Sequence, residues 1–183
     1  MTTKNKESEC ITIEQYIRVK SSGIHNRGVF ARTDIPKSTR LIEYKGKKIT
    51  KEEGNRILDE TYERHLKDPK NHAGTYIFEL NDTWDLDGDI PNNDAKYINH
   101  SCEPNCKMSI EGDHIWIDTV RDIKKDEEIT YNYGFDLNEN DLYDFEGQKC
   151  LCGSKKCVGY ILNEDEWPKM KELIDKKRKE KHN

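Results

Sequence analysis

The chain has 183 residues, 37% of them charged and 33% hydrophobic, a size that suits one domain with a modest core. Its net charge of -5 argues against direct binding to nucleic acid or to an anionic membrane, and no apolar stretch is long enough to span a bilayer. Met1 to Glu9 lacks the apolar centre of a signal peptide, so the expected setting is a reducing intracellular compartment, cytoplasm or nucleus, where six cysteines point to metal or catalysis more than to disulfides.

In chain order, Tyr16 to Val19 and Gly28 to Ala31 read as short strands, separated by breakers at Gly23 and His25-Asn26-Arg27-Gly28. Leu41 to Tyr44 is a third strand, entered through Pro36. Thr50-Lys51-Glu52-Glu53 has capping-box form, and Leu58, Tyr62 and Leu66 repeat every four residues. Together they predict a helix from Lys51 to Lys67, stopped by Pro69. Thr75 to Leu80, Ile115 to Val120 and Glu128 to Tyr131 have the β-branched and aromatic character of strands. Acidic residues are dense from Glu79 to Asp94 and from Asp136 to Glu146, and Asn138 to Glu146 reads as loop. An acidic middle suits a cationic substrate and equally suits a solvated face. Trp167 to Lys179 is a closing helix with Met170, Leu173 and Ile174 on one side. Its Lys176-Lys177-Arg178-Lys179 run has the composition of a nuclear-import patch or of a solvated helix face. Many short strands and few helices predict a compact, mostly β, α+β domain.

Cys150-x-Cys152-x4-Cys157 places three thiols within eight residues, with Gly153 to turn the chain. A structural zinc takes four tetrahedral ligands, commonly sulfur, so a fourth must come from elsewhere. Cys102 and Cys106 are the nearer candidates and Cys10 the remote one. Four thiolates leave no open position, so such an ion holds structure and polarises nothing.

Asn99-His100-Ser101-Cys102-Glu103-Pro104-Asn105-Cys106 is polar and turn-prone. Further on, Ile129-Thr130-Tyr131-Asn132-Tyr133-Gly134-Phe135 puts two tyrosines on one face of an extended segment. Their order along the chain, with Arg27-Gly28-Val29-Phe30-Ala31, Ile42-Glu43-Tyr44-x-Gly46, Tyr76-x-Phe78 and Glu128-Ile129-Thr130-Tyr131-Asn132-Tyr133, resembles the SET-domain protein lysine methyltransferases. Cys150-x-Cys152-x4-Cys157 is similar to that family's post-SET zinc motif. The resemblance runs from Tyr16 to Leu162.

The resemblance implies small curved sheets with a knot-like core, Tyr131 to Phe135 lying beside the Asn99-His100 loop. It divides the chain into an N-terminal tail (1–15), a SET domain (16–136), a post-SET zinc segment (137–162) and a C-terminal helix and tail (163–183). It implies S-adenosyl-L-methionine as methyl donor and one structural zinc on Cys102, Cys150, Cys152 and Cys157, with Cys106 a spare buried thiol. Tyr133 takes the position of the central catalytic tyrosine, Tyr76 that of a tyrosine lining the lysine channel, and Tyr131 that of a Phe/Tyr switch favouring mono- or dimethylation. Asn26, Arg27, Gly28 and Val29 are expected to meet the cofactor through backbone groups, Asn99 through its side chain, and the His100 backbone, Tyr160 and Leu162 around the adenine. The implied substrate is a protein with an exposed lysine, with histone tails as candidates, bound as an added strand.

Asn26, Ser38 and Asp126 stand where relatives often carry glycine, Lys96 where arginine is common, and Val158 departs from another common arginine. If those glycine positions need positive φ, Asn and Asp tolerate it better than Ser. Asn26 is also a residue that would crowd the cofactor. Two other readings carry less of the sequence: a catalytically weak or inactive SET-like zinc module that binds a partner peptide, and a plain structural zinc domain. Such a compact, stand-alone chain is expected to be a bacterial enzyme, delivered to a host cell if it acts there, or a small eukaryotic one.

Overall fold

The computed structural model describes residues 16–68, 75–136 and 149–180. Ten strands and two α-helices follow in the order β1 (Ile17–Ser21), β2 (Arg27–Ala31), β3 (Arg40–Tyr44), β4 (Lys47–Thr50), α1 (Lys51–Lys67), β5 (Ile77–Glu79), β6 (Trp84–Asp87), β7 (Asn99–His100), β8 (Cys106–Glu111), β9 (His114–Thr119), β10 (Glu128–Tyr131) and α2 (Trp167–Glu180). They form three small sheets, β1-β2-β10-β7, β3-β9-β8 and β4-β6-β5. The expected α+β, mostly β architecture is what is seen. Cys10, Pro69 and the predicted loop Asn138 to Glu146 lie outside the described residues.

The main core is built where inward-facing β-branched residues of different sheets meet. Val29, Ala31, Ile115, Ile117, Ile123 and Ile129 are each fully buried in it. Along β9 the alternation is regular: Ile115, Ile117 and Thr119 face in, while His114 is exposed and Trp116 and Asp118 are only half-buried. That period of two is what a sheet with one packed face requires.

Helix α1 has the predicted bounds, and Thr50 caps it by accepting from the Glu53 N–H at 3.2 Å. Of the anticipated apolar stripe, the Leu66 side chain lies outside the description and neither of the other two residues is buried. Leu58 is half-buried and Tyr62 is 40% exposed. The helix is instead seated at its first turns, where Gly54 packs on Asp85 of β6 and Lys51 Nζ bonds Asp85 at 2.7 Å. The acidic stretch from Glu79 to Asp94 is therefore no simple solvated face. It contains strand β6, whose Asp85 is 5% exposed and matched by Lys51.

Strands β4, β6, β7 and β8 were not legible as such. β6 carries aspartates at alternate positions, β8 mixes Lys107 and Glu111 with Ser109 and apolar residues, and β7 has two residues. Tertiary pairing, not local propensity, makes them strands.

Candidate active site and metal centre

The geometry begins at the turn between β1 and β2. Ser22 N–H donates to the Asn26 carbonyl at 3.0 Å, and Ile24 N–H donates to Ser22 Oγ at 2.9 Å. Asn26 sits at a φ of 35°. Just beyond it, a Cβ on Gly28 would stand 2.3 Å from Glu128 Oε1 and 2.9 Å from Ser22 Cβ, so only glycine fits.

Strand β7 pairs in parallel with β10, Thr130 opposite Asn99 and Tyr131 opposite His100. This pairing carries Asn99 to the turn. Its Nδ2 donates to the Arg27 carbonyl at 3.0 Å, to Ser22 Oγ at 3.1 Å and to Glu128 Oε1 at 2.7 Å. Arg27 extends outward with its guanidinium 4.0 Å over the Tyr97 ring. Val29 is fully buried in the core, which leaves only its backbone for any ligand.

The same pairing sets the tyrosines. Tyr131 and Tyr133, two residues apart on extended chain, have ring centroids 5.1 Å apart. Phe78 lies 6.2 Å from Tyr131 and 5.0 Å from Tyr44, and Phe135 lies 5.7 Å from Tyr133. Tyr44 Oη donates to the Tyr76 carbonyl at 2.8 Å, tying β3 to the segment before β5. Tyr133 is fixed twice: its hydroxyl donates to the Ile98 carbonyl at 3.0 Å and its N–H donates to His100 Nδ1 at 3.2 Å. Burial lowers His100 to about 4, so the ring is neutral and Nδ1 can accept. Burial likewise pushes the Tyr44, Tyr76, Tyr131 and Tyr133 hydroxyls above their ordinary range. This is a cluster of neutral hydroxyls among aromatic walls. Sequence reasoning quoted Tyr44 and Phe78 as motif residues and assigned them no place in the site. Their signal was the aromatic spacing of Ile42-Glu43-Tyr44 and Tyr76-x-Phe78.

Lys96, at the expected arginine position, sits over the Tyr76 ring. Its Nζ bonds Asp89 at 2.9 Å and the Ile90 carbonyl at 3.1 Å, and it lies 5.4 Å over both the Tyr76 and Tyr97 rings.

Of the two nearer candidates for a fourth sulfur, the fold brings in Cys102. The Sγ atoms of Cys102, Cys150, Cys152 and Cys157 all lie within 4.8 Å of one another. Tetrahedral zinc with Zn–S of about 2.3 Å puts its sulfurs about 3.8 Å apart, and Cys102 and Cys150 stand at 3.8 Å. The donor set therefore fits a structural zinc. Burial and the neighbouring Cys152 and Cys157 drive Cys102 up to about 11, whereas Cys152, despite its burial, is brought down to about 6 by Ser154 and the Cys102 segment. Thiols crowded this closely cannot all ionise without a cation between them. Cys106 instead faces the main core, 1% exposed, as the spare thiol.

With the turn, the parallel pair, the tyrosines and the cysteines in place, comparison with known proteins decides the family: the SET domain family matches residues 26–134. The chain belongs to the SET-domain family. Among similar proteins, one from Chaetomium globosum named histone-lysine N-methyltransferase, H3 lysine-4 specific, is 34% identical over 149 residues, covering 79% of this chain and 13% of that protein. Drosophila virilis histone-lysine N-methyltransferase trithorax is 35% identical over 154 residues, 82% of this chain and 4% of its own length. The Candida albicans protein named H3 lysine-4 specific is 33% identical over 144 residues, 76% and 13% respectively. The chain thus spans a small part of the length of these relatives.

Beyond the residues matched by the SET family, Tyr160 and Leu162 belong to a core separate from that of Tyr131 and Tyr133. Leu162 is fully buried against Met170, with Tyr160, Trp167, Leu173 and Ile174 around it, in a second small core. Trp167 Nε1 donates to the Leu162 carbonyl at 3.4 Å, and Asn163 N–H donates to the Phe135 carbonyl at 2.7 Å. That last bond joins the segment after the cysteines to the segment after Tyr133. A cavity of about 580 Å³ opens on the Glu128 side of Asn99, walled by Ile24, Ser101, Glu103, Asn105, Arg121, Glu127, Glu128, Thr130, Cys152 and Ser154. It is open and mostly polar, and its wall includes none of the residues predicted to hold the cofactor.

Proposed function

We propose that this SET domain is a protein-lysine N-methyltransferase that uses S-adenosyl-L-methionine, carries one structural zinc and acts in a reducing intracellular compartment on a protein substrate of the histone-tail class. The observation that carries the reading is the packing of Tyr131 and Tyr133 with Phe78, Tyr44 and Phe135 into one aromatic cluster, fixed where the Tyr133 N–H donates to His100 Nδ1 beside Asn99, with the Tyr76 carbonyl tied to it by the Tyr44 hydroxyl. The relatives named as histone-lysine N-methyltransferases support it.

A bound S-adenosylmethionine supplies an electrophilic methyl on a positively charged sulfur. The turn at Asn26 to Val29 would meet it through backbone groups, Asn99 would hold that turn through its side chain, and the His100 backbone and Tyr160 would meet the adenine, with the fully buried Leu162 packed behind. A lysine amine has a pKa near 10.4 in water and is not nucleophilic while protonated. An aromatic channel of neutral hydroxyls disfavours the ammonium form, so the amine arrives with its lone pair free. Tyr133, held at both its hydroxyl and its N–H, orients the reacting groups, and Tyr76 and Tyr131 accept or donate at the amine. Proximity and in-line geometry account for much of the acceleration. Cys102, Cys150, Cys152 and Cys157 hold the zinc that fastens the post-SET segment beside the turn.

The deciding experiment is methyl transfer from labelled S-adenosylmethionine to mixed core histones, with Tyr133→Phe alongside. Transfer is expected from the wild type and is expected to fall about a hundredfold or more in the variant, the order seen when a transition-state hydrogen bond is removed. Absence of both transfer and cofactor binding would overturn the reading in favour of a SET-like module that binds a peptide without catalysis.

A further inference from the structure

Glu128 has been given no role, and its surroundings are unusual for a carboxylate. It is half-buried on β10. Ser22 Oγ donates to its two oxygens at 2.7 Å and 2.9 Å, and Asn99 Nδ2 donates at 2.7 Å. Both partners are neutral. Among the described residues no lysine, arginine or histidine forms an ion pair with it, although its chain neighbours Glu127 and Asp126 pair with Arg121 and Arg18. The turn that begins the cofactor segment runs directly over the charge, with a Cβ on Gly28 only 2.3 Å from Oε1. Glu128 is also part of the cavity wall, whose other charged residues are Arg121 and Glu127, paired with each other, and Glu103, paired with Lys156.

We infer that Glu128 is a specificity-determining residue of the cofactor site, a counter-charge that makes the site prefer the sulfonium donor to the thioether product. The inference rests on the cofactor reading above. Donor and product share adenosine, ammonium and carboxylate and differ only in the methyl and the positive charge on sulfur. A pocket of neutral hydrogen-bonding groups weighs them nearly alike, whereas a half-buried carboxylate with no ion pair among the described residues does not. Transfer leaves the electron pair of the broken S–C bond on sulfur and moves the positive charge with the methyl to the amine nitrogen, which then sheds a proton to water. Glu128 is left facing a neutral thioether, and release of the product is favoured.

Isothermal titration of the 183-residue chain with S-adenosylmethionine and, separately, with S-adenosylhomocysteine tests this. Glu128→Gln is expected to weaken the donor about tenfold while changing the product by less than about twofold, because one elementary charge separates them. Ser22→Ala, which removes a hydrogen bond and keeps the charge, is expected to preserve the wild-type affinity ratio. Equal weakening of both ligands by Glu128→Gln overturns the inference and leaves Glu128 a strut for Asn99. If that variant does not fold, the wild type decides, and a donor-to-product ratio near one overturns the inference. A wild-type chain that binds neither ligand overturns the cofactor reading itself.

Discussion

Asn26, Ser38 and Asp126 have φ of 35°, 63° and 70°, and they are the only non-glycine residues with positive φ among those described. All three are positions where the family resemblance led us to ask whether glycine's freedom was needed. The left-handed region is tolerable for Asn and Asp, whose short polar side chains bond locally, and costs other residues roughly 1–2 kcal/mol. Ser38 bears that strain without such help. Ser38→Gly is therefore expected to stabilise the fold by about 0.5 kcal/mol, the relief exceeding the entropy that glycine returns to the unfolded chain. Asp126→Gly is expected to gain nothing, since it also gives up the pair with Arg18. Urea denaturation of the two variants beside the wild type checks the order. At the aromatic cluster, Tyr131 is buried between Phe78 and Tyr133. Removing its hydroxyl leaves more room at the amine, so Tyr131→Phe is expected to move products toward higher methylation states. Mass spectrometry of a methylated histone peptide reads this directly, and an unchanged product distribution would count against the switch assignment.

At the scale of elements, two local rules conflict in α1, and magnitudes decide between them. Helix propensity favours alanine over glycine by about 1 kcal/mol, so Gly54→Ala looks stabilising on sequence alone. In the fold, that Cβ would stand 2.2 Å from Asp85 Oδ2, and Asp85 cannot move aside because Lys51 holds it and β4 and β5 flank it. Overpacking of this kind costs roughly 1–3 kcal/mol, so the substitution is expected to destabilise. Thr50→Ala should cost about 1 kcal/mol through loss of the cap, without disturbing β6. A denaturation series separates the two, and a stabilised Gly54→Ala would show that α1 is not seated on Asp85. The bounds of α1 were legible because its signals are local: a hydroxyl cap, a first-turn Glu and a proline stop. β6 was not legible, because its aspartates look like solvent-facing charges until Lys51 arrives from another element.

For the whole molecule, the four-cysteine cluster is where distant chain segments meet. Cys102 follows β7, while Cys150, Cys152 and Cys157 belong to the segment that reaches α2. One zinc per chain is expected by elemental analysis, retained in Cys106→Ala and lost in Cys102→Ser. Chelation is expected to loosen the second core around Leu162 and weaken cofactor binding, while the main core, which contains none of the four ligands, stays folded. Near-ultraviolet dichroism with calorimetric binding checks both. Because the ligands bind zinc as thiolates, protons compete with the metal, so zinc affinity falls as pH falls.

The sequence by itself determined the chemistry: which residues are tyrosines, thiols and turn formers, and in what order. Spacing made Cys150, Cys152 and Cys157 a metal motif because their ligand geometry is local. Local residues could not choose between Cys102 and Cys106, four positions apart and both buried. Tertiary structure made that choice, by turning Cys106 into the core at the start of β8 and leaving Cys102 facing the later cysteines. Only tertiary structure joined Asn99 to Ser22 and Glu128, since parallel pairing of β7 with β10 spans about thirty residues. That Glu128 is met by the neutral donors Ser22 and Asn99, and by no ion pair among the described residues, cannot be seen in a sequence, because it is a property of what the fold brings near.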